Sequence, residues 1–129
     1  MALSKENLHL QGLRGATTSQ CNEAEAIEAS VTELVNELVE RNKLKPEQII
    51  SIIFSVTNDL TACFPAAIAR RQTGWENVAL IDCQQMFVEG DLKNCIRILA
   101  HVLLPINQKP QHTYLGDAVL LRPDRSINN

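Results

Sequence analysis

One stretch of this sequence carries a sustained helical period. Between Asn22 and Lys43 the apolar residues Ile27, Val31, Leu34, Val35, Leu38 and Val39 fall on a single face, and Glu28, Glu33, Glu37 and Glu40 turn away from it. Asn22 suits the N-cap, Glu25 three residues on is its reciprocal partner, and the spacing predicts a helix of about 20 residues, or roughly 30 Å. The apolar runs around it read as strands. A single helix of that length covers one face of a sheet and leaves the other bare. The bare face must bind something, and association with further copies of the chain is the simplest solution.

The strands follow from shorter signals. Leu8, Leu10 and Leu13 lead into a first strand ending at Arg14 to Thr17. Pro46 opens a turn into the β-branched run from Ile49 to Val56, which reads as a buried central strand. Pro65 starts a short helix closed before Gly74, with Trp75 at the turn. A third strand is expected at Val78 to Asp82 and a fourth at Cys95 to Leu103, with Cys95, Arg97, Leu99 and His101 on one side. The last is expected at Ala118 to Leu121. The class is therefore α+β: one domain over residues 1–129, a five-stranded mixed sheet with one long helix and short helical turns. Residues 1–7 read as a frayed or appended start, and residues 123–129 as a flexible polar tail.

Composition narrows the function classes. No window approaches the roughly 20 apolar residues of a membrane span, and the net charge of −3 with scattered basic residues argues against a nucleic-acid surface. Cys21, Cys63, Cys83 and Cys95 are irregularly spaced and read as reduced thiols of a cytoplasmic protein, Cys83 and Cys95 as core residues. There is no G-x-S-x-G, no H-E-x-x-H and no glycine-rich phosphate loop, so covalent, zinc and nucleotide chemistry lack support.

What remains is cationic. Arg14 sits at the end of the first strand against Gly15, and Arg97 lies inside the apolar run Cys95-Ile96-Arg97-Ile98-Leu99. A guanidinium on an apolar strand is costly to desolvate unless an anion meets it, so the two point to a pocket for a polyanionic small molecule. His101, alone among aliphatics, reads as a packing or interface residue.

Several separated motifs carry a more specific likeness: R-G-A-T-T at 14–18, F-P-A at 64–66 with Arg70 and G-W at 74–75, Q-M-x-V-x-G at 85–90, C-I-R at 95–97, and Y-L at 114–115 with V-L-L-R-P-D at 119–124. In this order the chain resembles the small trimeric monofunctional chorismate mutases, which have a barrel-like α/β fold. The resemblance implies rearrangement of chorismate to prephenate on the way to phenylalanine and tyrosine, without a cofactor, in a homotrimer with active sites between subunits. It implies that Arg97 faces the ether oxygen and a carboxylate, that Tyr114 donates to that carboxylate, and that Arg14 contacts the side-chain carboxylate. Phe64, Ala66, Leu80, Ile81, Met86 and Leu121 would wall the ring, with Arg70 and Arg122 at the mouth.

Two positions depart from the family pattern. Gln85 stands where a glutamate usually binds the substrate hydroxyl, and Asp82 where a small polar residue is usual. The expectation is that Asp82 accepts the hydroxyl with Gln85 in support, both on the subunit that supplies Arg14 and Arg97, while Phe64 and Arg70 reach across from a neighbour. Ala67 replaces a rim lysine. The tail beyond Pro123 could close over the pocket. Two other readings stay open: a trimeric imine or enamine deaminase, which shares the overall architecture and a carboxylate-gripping arginine, and a non-catalytic metabolite-binding trimer.

Overall fold

A computed structural model describes residues 7–121. The expectations for residues 1–6, for Arg122 and for the tail from Pro123 lie outside the described residues. The elements in chain order are β1 (Leu8–Thr18), α1 (Ala24–Arg41), β2 (Ile49–Val56), α2 (Pro65–Ala69), β3 (Ala79–Gln84), β4 (Cys95–Pro105) and β5 (Thr113–Tyr114), with 3-10 turns at Pro46–Gln48 and Gly116–Leu121. The strands form one mixed sheet in the order β3-β2-β4-β1-β5. β4 runs antiparallel to both β1 and β2, whereas β3 lies parallel to β2 and β5 parallel to β1.

The two sheet faces differ because side chains alternate along each strand. Leu13, Ile52, Phe54, Ile96, Ile98, Ala100, Val102 and Leu104 are buried and form the main core with Ile27, Val31, Leu34, Val35 and Leu38 of α1. This is the helical face read from the sequence. The opposite face carries Arg14 and Ala16 on β1, Arg97, Leu99 and His101 on β4, and Ser51, Ile53 and Ser55 on β2, in matched register. His101 is half-buried there and shares a hydrogen bond with Ser51, Nδ1 to Oγ 3.1 Å.

One end of that second face is covered. Ala16, Cys95, Tyr114 and Ala118 form a small separate core against which Leu92, Val119 and Leu121 pack. The expected strand at Ala118 to Leu121 is instead the 3-10 turn, and the fifth strand is Thr113–Tyr114. Four apolar residues cannot distinguish a strand from a helical turn by pattern alone, and Gly116 decides the matter. Its φ is +56°, and a Cβ there would meet Thr18 Oγ1 at 2.8 Å, so the chain folds back where only glycine fits.

Asn22 does not cap α1. Glu23 holds the N-cap position without a side-chain hydrogen bond. Asn22 Oδ1 accepts the amides of Thr61 and Ala62 at 2.8 and 3.0 Å, and its Nδ2 donates to Thr61 Oγ1. The residue thus fastens the segment leading to Phe64 onto the start of the helix. At the other end buried Asn42 donates to Leu38 and Gln111 carbonyls and accepts the Gln111 amide, which anchors the chain just before His112 and Tyr114. Cys95 is buried as expected, but Cys83 is exposed on β3, which has only β2 as a sheet neighbour.

Candidate active site

β1 and β4 bring the two arginines together. Arg14 pairs with Leu99 and Ala16 with Arg97, which makes Arg14 and Arg97 diagonal neighbours on one face, within reach of a common small ligand. Ala16 also pairs with Tyr114 of β5. Arg14, Arg97, Tyr114 and Ser55 line a cleft of about 330 Å³ whose apolar floor includes Ile53 and Leu99. Among the described residues Arg14 makes no ion pair. Its backbone amide donates to His112 Nδ1 at 2.9 Å, which ties β1 to the residue preceding β5.

Arg97 is held more tightly. Its Nη2 lies 3.7 Å from Asp91 Oδ2, and its Nε is buried with no hydrogen-bond partner among the described residues. The same Asp91 oxygen accepts Gln85 Nε2 at 2.8 Å. Asp59 accepts the Asn94 amide and Thr57 Oγ1 accepts the Cys95 amide, fixing the start of β4 next to the arginine. Burial pushes the neighbouring Cys95 thiol up, which keeps it neutral despite the guanidinium beside it.

The remaining sequence-predicted residues gather elsewhere. Asp82 pairs with Phe54, so it points to the helix side of the sheet, away from Arg14 and Arg97. Its Oδ1 accepts the Ala66 amide at the start of α2, 2.9 Å away. Burial raises the Asp82 carboxyl above its ordinary value, outweighing the Ala66 N–H and the Arg70 charge, both of which lower it. Phe64, Ala67 and Asp82 line a second cavity of about 540 Å³ that shares no lining residue with the arginine cleft. Phe64 is 70% exposed, and Arg70 is exposed and unpaired among the described residues, whereas Arg71 is engaged with Glu28 at 2.6 Å.

Within one chain, then, Asp82 keeps company with Phe64 and Arg70. The expected grouping of Asp82 with Arg14, Gln85 and Arg97 does not occur, because the sheet lies between them. Ala66 and Leu80 pack in or against the main core, Ile81 and Met86 are exposed at 57% and 79%, and Leu121 packs beside Tyr114. Three residues were invisible to sequence reasoning: Asp91, Ser55 and His112. None sits in a motif, and each joins the site through a partner distant in sequence or in an irregular segment.

This arrangement offers fixed cations and hydrogen-bond donors around an apolar floor. Among the described residues no three His, Cys, Asp or Glu side chains converge as metal ligands would. A model of the family "Chorismate mutase type I" matches residues 10–125. The chain belongs to the type I chorismate mutases. Membership agrees with the fold class read from the sequence and with a mixed five-stranded sheet. The chain is 39% identical over 119 residues to "Chorismate mutase AroH" of Bacillus subtilis (strain 168), covering 92% of this chain and 94% of that protein. It is 39% identical over 117 residues to "Chorismate mutase AroH" of Thermus thermophilus, covering 89% and 95%. Among solved structures, a chorismate mutase from Clostridium thermocellum, Cth-682, superposes with a TM-score of 0.76 at 42% identity, covering 85% of this chain and 98% of that one. Among the described residues of this family member no helix is long and apolar enough to cross a membrane.

Proposed function

We propose that the chain rearranges chorismate to prephenate in clefts that neighbouring copies of a homotrimer complete. The observation that carries this reading is the convergence of Arg14, Arg97 and Tyr114 on the sheet face that α1 leaves open. The reaction is pericyclic: one C–O bond breaks while a C–C bond forms in the same molecule. No group must be protonated or attacked, so the protein acts by holding the dianion in its compact chair-like conformer and stabilising charge on the ether oxygen. Only contacts that strengthen in the transition state add to the rate.

Arg97 takes the ether oxygen and a carboxylate, with Tyr114 on that carboxylate and Arg14 on the side-chain carboxylate. Asp82, Phe64 and Arg70 form the complementary half, with Ala66 behind them. They reach substrate in the cleft of an adjoining copy. The uncovered face, with Leu10 61% and Ile81 57% exposed, supports self-association. A cytoplasmic location fits four free cysteines.

Incubation with chorismate tests the activity: prephenate formation is expected, while ammonia release from an imine, or binding without turnover, would point to a deaminase or a silent binder. Mixing Arg97→Ala chains with Phe64→Ala/Arg70→Ala chains tests the sharing of sites. Random pairing should leave about a quarter of the clefts intact. No recovery above the separate variants would count against a shared cleft.

A further inference from the structure

The carboxylate beside Gln85 is Asp91, not Asp82. Asp91 lies in the irregular segment between β3 and β4, and its own amide donates to the Val88 carbonyl at 3.1 Å. Its Oδ1 accepts the Leu92 amide at 2.7 Å, and its Oδ2 accepts Gln85 Nε2 at 2.8 Å while standing 3.7 Å from Arg97 Nη2. An ionised carboxylate only accepts hydrogen bonds. Gln85 must therefore turn its NH₂ toward Asp91 and its Oε1 away. That oxygen is buried and has no hydrogen-bond partner among the described residues, and the same holds for Arg97 Nε. One acceptor and one donor are thus left unspent on two side chains joined through a single carboxylate. Such atoms are costly unless something else meets them.

We propose that Asp91 is a positioning residue for the rearrangement. It fixes the Gln85 carboxamide so that Oε1 accepts the substrate hydroxyl, and it holds the Arg97 guanidinium in the cleft. The inference rests on the reading that chorismate rearranges at Arg97. A glutamate, usual at the position of Gln85 in the resemblance, would supply acceptor and negative charge from one side chain. In this chain the two duties are divided: Gln85 contributes a neutral acceptor, and the charge facing Arg97 comes from Asp91. The carboxylate count around the arginine stays at one.

A charge exchange tests this against a purely structural role for Asp91 in the loop. Asp91→Asn leaves an amide facing an amide, so Gln85 loses its fixed orientation. Its kcat should fall about tenfold or more, with KM moving less. Gln85→Glu places two carboxylates at hydrogen-bond distance and should also lose turnover. The combined Gln85→Glu/Asp91→Asn variant restores one amide-to-carboxylate bond drawn from the other side, and should recover to within about threefold of wild type. A loop anchor alone would give additive losses and no recovery.

Asp91→Asn turning over at the wild-type rate, or a double variant no better than the product of the singles, overturns the inference. Should Asp91→Asn fold poorly, the double variant against Gln85→Glu carries the same comparison. A wild-type protein inert toward chorismate would sink the underlying reading instead. An active wild type without recovery sinks only the role of Asp91.

Discussion

Removing the Arg97 guanidinium should cut turnover by orders of magnitude and leave the fold nearly untouched. The side chain is 34% exposed, and its ion pair with Asp91 spans 3.7 Å, a geometry worth at most about 1 kcal/mol in partly solvated surroundings. Its Nε has no hydrogen-bond partner among the described residues, and Asp91 retains Gln85 Nε2 and the Leu92 amide when the arginine is gone. Arg97→Ala should therefore lower Tm by no more than about 5 °C. Catalysis loses far more. In the role proposed for Arg97, two charge-assisted hydrogen bonds, to the ether oxygen and to a carboxylate, are each worth about 1.5–3 kcal/mol, so about 3–6 kcal/mol of transition-state stabilisation would disappear. At about 1.4 kcal/mol per tenfold, kcat/KM should fall by about two to four orders of magnitude. Arg97→Lys keeps a point charge but not the planar fork, and should recover only part of the loss. Loss of chorismate absorbance gives the rate, and a thermal melt gives the stability. If kcat/KM stays within about tenfold of wild type while the melt is unchanged, electrostatic preorganisation by this residue is refuted. A collapsed melt would refute the independence of fold and site.

Two further outcomes follow from local geometry. In Gly15→Ala the new Cβ would lie 2.7 Å from the Thr113 carbonyl and 3.0 Å from Ile98 Cγ2, so β5 must shift and take Tyr114 with it. The expected cost is about 1–3 kcal/mol of stability with a fall in kcat/KM, whereas Gly12→Ala, 3.7 Å from Leu99 Cδ1, should be tolerated in thermal melts; equal behaviour of the two would contradict the packing. The raised carboxyl of Asp82 binds its proton more tightly in the folded state, so its contribution to stability is present at low pH and is lost as pH rises through the folded value. Asp82→Asn escapes that loss, and its Tm relative to wild type should climb between about pH 3 and pH 7; a relative Tm that falls over that range would show the charged form to be the stabilised one.

The residues that surround Arg97 divide cleanly by how they could be found. Arg14, Arg97 and Tyr114 were legible because each lies in a motif and because strand alternation assigns Arg97 and Leu99 to one side without further information. Asp82 was misplaced for a related reason. Alternation within β3 says that Leu80 and Asp82 share a face, but only the parallel register with β2 says that this is the face of Phe54 and the helix. Asn22 had a cap signature in its local sequence, and three hydrogen bonds to residues about 40 positions away outcompeted it. Asp91 had no signature at all. Its role arises because an irregular segment returns to the strand that carries Arg97.

Periodicity by itself determined that this chain has one long amphipathic helix, strands at β2 and β4, and arginines on an otherwise apolar surface, since the helical and extended repeats are written into neighbouring residues. The tertiary structure alone decided that β4 lies between β1 and β2, that Tyr114 joins the arginines, that the last apolar run is a 3-10 turn packed beside Tyr114, and that Gln85 answers to Asp91. Those outcomes depend on hydrogen bonds and packing between segments far apart in the chain. Their energies are set by register and approach distance, and no local pattern encodes either.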